Sequence, residues 1–212
     1  MNLVLMTERL TIQIDAQTFA ETFKSSADAE VKRSFSDKDS FEFTEENKYV
    51  LNQIYFHLIG SNKFKGNLNK NIYLVGPHKT GKSTIMKAIK NTIEFNTNPA
   101  KIVTMCMMDE LNEMVKRNGI EHYYKRPIIL DELGRETKKI MVFGNEIYPS
   151  VHLLGMRYKN HALTYAVGNF SMNEMRGIYD TYMFEKIHEM FEVIELKEKR
   201  WIPEIKQKKM EL

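Results

Sequence analysis

The chain has 212 residues, a formal net charge of +3 and a pI near 8.7, enough for one α/β domain with a sizeable core and a short extension. With 42% hydrophobic and 28% charged residues, its composition is that of an ordinary globule, and the mild basicity is compatible with nucleic acid without pointing to it. The lone cysteine, Cys106, excludes an intramolecular disulfide and a multi-cysteine metal site, and its apolar surroundings make it a buried thiol. No apolar run is long enough to cross a bilayer, and Met1-Asn2-Leu3-Val4-Leu5-Met6 lacks the charged lead of a signal peptide. A cytoplasmic protein with no membrane partner is expected.

Leu10-Thr11-Ile12-Gln13-Ile14 alternates like a short strand, and residues 24–40, mostly charged or small, read as a loose linker. Residues 1–40 are therefore expected to be an N-terminal extension. Thr44 is a candidate N-cap, with Glu45 and Glu46 complementing the helix dipole in the first turn. That helix reaches about Ile59 with Leu51, Ile54, Tyr55 and Leu58 facing inward; Gly60 stops it, and 61–70 is a polar loop. Strand and helix then repeat. Strands are expected at 71–75, 101–105, 127–130, 162–167 and 191–196, with helices at 82–94, 109–117, 146–159 and 173–190. Pro149 falls early in the third of these helices. Such βα units require right-handed crossovers and give a parallel sheet with helices on both faces. The core is expected over 41–202, with a lysine-rich tail at 203–212.

Gly76-Pro77-His78-Lys79-Thr80-Gly81-Lys82-Ser83 joins the first expected strand to its helix. This is G-x-x-x-x-G-K-[ST], the phosphate-binding loop, in its required strand–turn–helix setting. The glycines permit turns that a Cβ would hinder, and the free N–H groups opening the helix point at an anion. Lys82 would reach the β- and γ-phosphates of a nucleoside triphosphate, and Ser83 would ligate Mg²⁺. The candidate nucleotide-binding residues are Gly76, Pro77, His78, Lys79, Thr80, Gly81, Lys82, Ser83 and Thr84. His78 and Lys79 form the variable crest and are expected to be exposed. The fold class is α/β, a P-loop NTPase core of five parallel strands in the order 5-1-4-3-2.

Two further signals complete the expected site. Ile128-Ile129-Leu130-Asp131-Glu132 is an apolar strand ending in two acids, where strand ends face the phosphates. Asp131 would hold the Mg²⁺ shell, and Glu132 would orient and deprotonate the attacking water. Asn169 ends the fourth strand beside the first, so its amide is a candidate to position that water or touch the γ-phosphate. The candidate catalytic residues are Lys82, Glu132 and Asn169; the candidate metal ligands are Ser83 and Asp131; the expected cofactors are ATP and Mg²⁺. ATP is preferred to GTP because GTPase base-recognition elements are not evident.

The order of the phosphate loop, Asp131-Glu132-Leu133-Gly134-Arg135-Glu136, Arg157-Tyr158 and Gly168-Asn169-Phe170 resembles the helicase-loader branch of AAA+ ATPases, which contains DnaC-type loaders and IstB-type transposition helpers. The resemblance covers about 41–201. It implies an ATPase that assembles as a homo-oligomer on ATP beside a replicative helicase and single-stranded DNA. Relatives carry Tyr-Gly-x-Arg-x-x-x-Arg after the Asn strand, whose first arginine reaches a neighbour's ATP. Here Tyr179-Asp180-Thr181-Tyr182-Met183-Phe184-Glu185-Lys186 places Tyr182 and Lys186 at the two arginine positions. Tyrosine brings no charge to phosphate, and lysine lacks the planar fork. Weak hydrolysis is therefore expected unless another group substitutes, with Arg157 and Arg176 as candidates that read at least as well as surface helix arginines.

Lys197, Lys199, Arg200, Trp201, Lys206, Lys208 and Lys209 could track and stack a single strand, but Trp201 reads first as a core cap and the lysines as a solvated tail. Three functions stay open: an ATP-dependent loader or transposition helper, an ATP-gated binding protein with little turnover, and a small-molecule kinase. The kinase reading gives no task to the acid pair and Asn169.

Overall fold

The five apolar runs assemble into one parallel sheet. A computed structural model describes residues 11–34, 40–97, 102–136, 140–142 and 145–197. Its sheet strands are β1 (Asn71–Val75), β2 (Thr104–Met107), β3 (Ile128–Asp131), β6 (Thr164–Gly168) and β7 (Phe191–Glu195). A separate antiparallel hairpin is formed by β4 (Ile140–Val142) and β5 (Asn145–Ile147). The sheet order is β2-β3-β6-β1-β7, with every neighbouring pair parallel. Read from the other edge, this is the expected 5-1-4-3-2. Tyr73 lies opposite Ala166 on one side and Val193 on the other.

The sheet buries both faces, so its central strands are apolar at nearly every position. Alternate residues point to opposite sides. Ile72, Leu74, Ile129, Tyr165, Val167 and Ile194 join one cluster with α1 (Ala16–Ser34), α2 (Glu45–Leu58) and α3 (Lys82–Phe95). Tyr73, Val75, Ile128, Leu130, Ala166 and Phe191 join the other, with α4 (Leu111–Asn118), α5 (Pro149–Lys159), α6 (Met172–Ile178) and α7 (Thr181–Met190). Cys106 lies in this second cluster, and burial pushes its thiol up to about 12. That leaves it an inert core residue.

The largest departure from expectation is at the front. Residues 24–34 belong to α1 and not to a linker, and 11–15 form no strand. The charged composition hid a stripe: Phe19, Phe23, Ala27 and Val31 recur every four residues, and all are buried against the sheet's helical layer. Ile12 is buried as well, its N–H donating to the Leu58 carbonyl at 3.0 Å, an isolated tie outside any ladder. Residues 1–10, 35–39 and 198–212, with Trp201 and most of the basic tail, lie outside the described residues.

Other boundaries moved for local reasons. Thr44 caps α2 as expected, through a reciprocal box with Asn47. The second strand begins at Thr104, not 101, and the 109–117 helix starts at Leu111. Residues 145–147 pair in the hairpin, and Pro149 opens α5 at its first position, where a missing N–H costs nothing. The expected 173–190 helix is two helices, because Asp180 accepts from the Met183 N–H and starts α7 afresh. Among the described residues, no helix is long and apolar enough to cross a membrane.

Candidate functional site: the cleft at the ends of β1, β3 and β6

The three central strands deliver the expected residues to one open cleft of about 180 Å³. Its lining is His78, Lys79, Thr80, Gly81, Lys82, Ser83, Thr84, Asp131, Glu132, Val167, Gly168 and Asn169. The loop crest, the acid pair and Asn169 therefore meet, although they lie far apart in sequence. Gly76 and Pro77 do not line the cleft.

The loop geometry follows from its residues. Gly81 caps α3 with φ of +88°, a conformation that favours glycine, and Lys79 at the crest is held at +64°. Gly76 also has a packing task. A Cβ there would stand 2.3 Å from the Leu196 carbonyl oxygen, so the glycine admits the chain leaving β7. That segment is tied in by the Leu196 N–H donating to the Val75 carbonyl at 2.8 Å.

The Lys82 ammonium lies inside the loop, donating to the Pro77 carbonyl and, at 3.4 Å, to the Thr80 hydroxyl. Burial pushes it down to about 8, partly offset by the negative charges of Asp131 and Glu132. Ser83 Oγ donates to Asp131 Oδ1 at 3.1 Å. Asp131 is almost fully buried, and burial holds its carboxyl above the usual range despite the bonds from Ser83 and the Glu132 N–H. A buried acid beside a hydroxyl is stabilised by a hard cation, so this oxygen pair fits Mg²⁺. Among the described residues, there is no group of three or more His, Cys, Asp or Glu that could hold a metal. Two protein oxygens suit a magnesium ion that takes its other ligands from phosphate and water.

Glu132 follows at φ of +61°, strained backbone for a glutamate. The turn is held from three sides. The Glu132 N–H donates to Asp131 Oδ1 at 3.0 Å, the Leu133 N–H to the Val167 carbonyl at 2.9 Å, and the Arg135 N–H to the Glu132 carbonyl at 3.0 Å. Such strain survives only where the surroundings fix it, and here it brings the acid to the cleft. Behind it, Glu136 accepts from the Gly134 N–H at 2.8 Å and from the Tyr179 hydroxyl, tying the acid turn to the junction of α6 and α7.

Sequence reasoning missed Arg135. Its guanidinium donates to His78 Nε2 at 3.1 Å and lies 3.5 Å from Glu132 Oε2, bridging the loop crest and the acid turn. Only its place inside the acid motif hinted at this. Arg157 is neither a surface residue nor a candidate to reach another molecule. It is fully buried, donating to Thr164 Oγ1 at 2.9 Å and to the Tyr123 and Leu163 carbonyls. Arg176 is exposed and stacks over Phe184 at 5.0 Å. Tyr182 is exposed, with the Lys186 ammonium 3.7 Å from its ring centre. Lys197 lies at the edge of the described chain, 3.5 Å from Glu195.

No protein-family model matches the chain, and none of the curated proteins matches it. Solved structures do. The DnaI structure matches with a TM-score of 0.55 at 19% identity, over 85% of this chain and 92% of that one. A DnaC helicase loader matches with a TM-score of 0.54 at 18% identity, over 74% of this chain and 93% of that one. AMPPCP-bound DnaA from Aquifex aeolicus matches with a TM-score of 0.51 at 15% identity, over 74% of this chain and 48% of that one. Together with the strand order and the loop, these matches show that the chain shares the fold of the DnaI and DnaC helicase loader structures.

Proposed function

We propose that this chain binds ATP with Mg²⁺ and couples ATP binding and hydrolysis to assembly of a replicative helicase on single-stranded DNA, acting as a homo-oligomer. The observation that carries nucleotide binding is the 3.1 Å contact of Ser83 Oγ with Asp131 Oδ1 beside the buried Lys82 ammonium. A hydroxyl, an acid and an ammonium converging at a helix start suit a magnesium-bound triphosphate. The helicase and single-strand part rests on likeness of fold to helicase loaders and to a DnaA described with AMPPCP and single-stranded DNA.

The residues divide the work. The Gly81, Lys82 and Ser83 amides, with the Lys82 ammonium, bind the phosphates. Ser83 and Asp131 would hold Mg²⁺, which when bound supplies positive charge to the phosphates and orients them. Glu132 takes the proton of the attacking water as its oxygen bonds to the γ-phosphorus and the bond to the β–γ bridging oxygen breaks, leaving ADP and inorganic phosphate. Asn169 positions the water or the γ-phosphate from the end of β6, between the loop strand and the acid strand.

Titration calorimetry tests the core. Wild type should bind Mg–ATP, and Lys82→Ala should weaken binding at least about tenfold, the loss of one charge-assisted contact. Glu132→Gln should bind normally, lose about a hundredfold or more of turnover, and hold its partner when pulled down with ATP. No heat with wild type would refute the reading. A second reading, an ATP-gated binding protein with little turnover, is favoured by Tyr182 standing at the finger position; under it Glu132→Gln leaves partner capture unchanged.

A further inference from the structure

We infer that Arg135 is an arginine supplied in cis to the terminal phosphate, exchanging Glu132 and His78 for it when ATP is bound; this rests on the ATP-binding reading above. Among the described residues its side-chain contacts are His78 Nε2 at 3.1 Å and Glu132 Oε2 at 3.5 Å, both lining the cleft. One comes from the phosphate-loop crest and the other from the acid turn. The guanidinium therefore spans the rim between the loop that would hold the phosphates and the base that would activate water.

The contacts it makes are easily exchanged. Its side chain is 42% exposed and that of Glu132 34%. A long, partly exposed, single-pronged ion pair contributes little. A guanidinium has five donors in a planar fork and no acceptor, so His78 accepts through Nε2, and the described residues engage only part of the fork. A phosphate matches that fork and carries more charge than either present partner. Moving to phosphate also releases the Glu132 carboxylate toward water. A single exchange would thus place a positive charge on the reacting group and free the base. Arg135 itself transfers no proton; the water's proton still goes to Glu132.

The two arginines expected as substitutes for the finger are committed elsewhere. Arg157 is sealed in the core and Arg176 stacks on Phe184. At the expected finger positions Tyr182 and Lys186 engage one another. Among the described residues, Arg135 is the arginine whose guanidinium touches side chains of the cleft.

The test compares Mg–ATP, as a non-hydrolysable analogue, with Mg–ADP on the full chain by calorimetry, and measures steady-state turnover. Arg135→Ala should weaken the ATP analogue about tenfold or more while ADP stays within about twofold, and should lower kcat. Arg135→Lys should recover part of both, since it keeps the charge without the fork. Thermal unfolding should be close to wild type, because the Arg135 side chain is partly exposed and its ion pair is long. Equal loss of both nucleotides, an unchanged ATP-to-ADP ratio, or a raised kcat would each overturn the inference while leaving ATP binding standing. Wild type that bound neither nucleotide would overturn the ATP-binding reading and this inference with it.

Discussion

Burying an unpaired guanidinium costs far more than a small domain can spare, so Arg157 persists only because three acceptors surround it. Burial pushes it down to about 9, which leaves it charged at neutral pH. It joins α5 to the turn after α4 and to the entry of β6, holding β6 in place for Asn169. Arg157→Ala should cost about 3–5 kcal/mol in urea denaturation, from stranded carbonyls and a cavity. Arg157→Lys should recover less than half, having no fork for three acceptors. A variant as stable as wild type would show that this network is slack. Glu132 is the opposite case: strained at φ of +61°, it weakens the fold locally and serves the cleft.

At the scale of elements, α1 decides whether residues 16–34 are part of the globule. Its docking is fixed by packing and by Asp28, whose carboxylate accepts from the Phe41 N–H at 2.7 Å and from Lys24 Nζ at 2.6 Å. Partial burial pushes the Asp28 carboxyl up, but those bonds outweigh it and hold it below its ordinary 3.8. A depressed folded-state pKa means stability that is present above the unfolded value and lost as pH falls through the folded one. Asp28→Asn should therefore cost about 1–2 kcal/mol at pH 7. The gap to wild type should shrink below about pH 4 in parallel denaturant titrations. A gap independent of pH would assign the effect to shape and not charge. The split between α6 and α7 belongs here too: Asp180 restarts the helix, and the Tyr179 hydroxyl joins that joint to Glu136 behind the acid turn.

For the whole molecule, a tyrosine at the expected finger position has a kinetic consequence. If Arg135 acts in cis and Tyr182 has replaced the usual trans arginine, turnover per chain should not depend on protein concentration. Specific activity should stay within about twofold across a hundredfold dilution series, whereas an arginine finger in trans is worth about a thousandfold or more. A steep rise with concentration would show that a neighbour completes the site. The phosphate loop, its strand and its helix are determined by sequence alone, because strand, turn and helix are contiguous and their chemistry is local. The apolar strands follow from two-sided burial in the same way, and their order from the fold class that the loop implies. Tertiary structure alone decided the rest. It turned the charged stretch after residue 24 into a core helix, sealed Arg157 inside, and gave Gly76 to the Leu196 carbonyl. It also brought Arg135 to a histidine 57 residues away. Each of these depends on which elements become neighbours across the sheet, and no spacing along the chain encodes that distance.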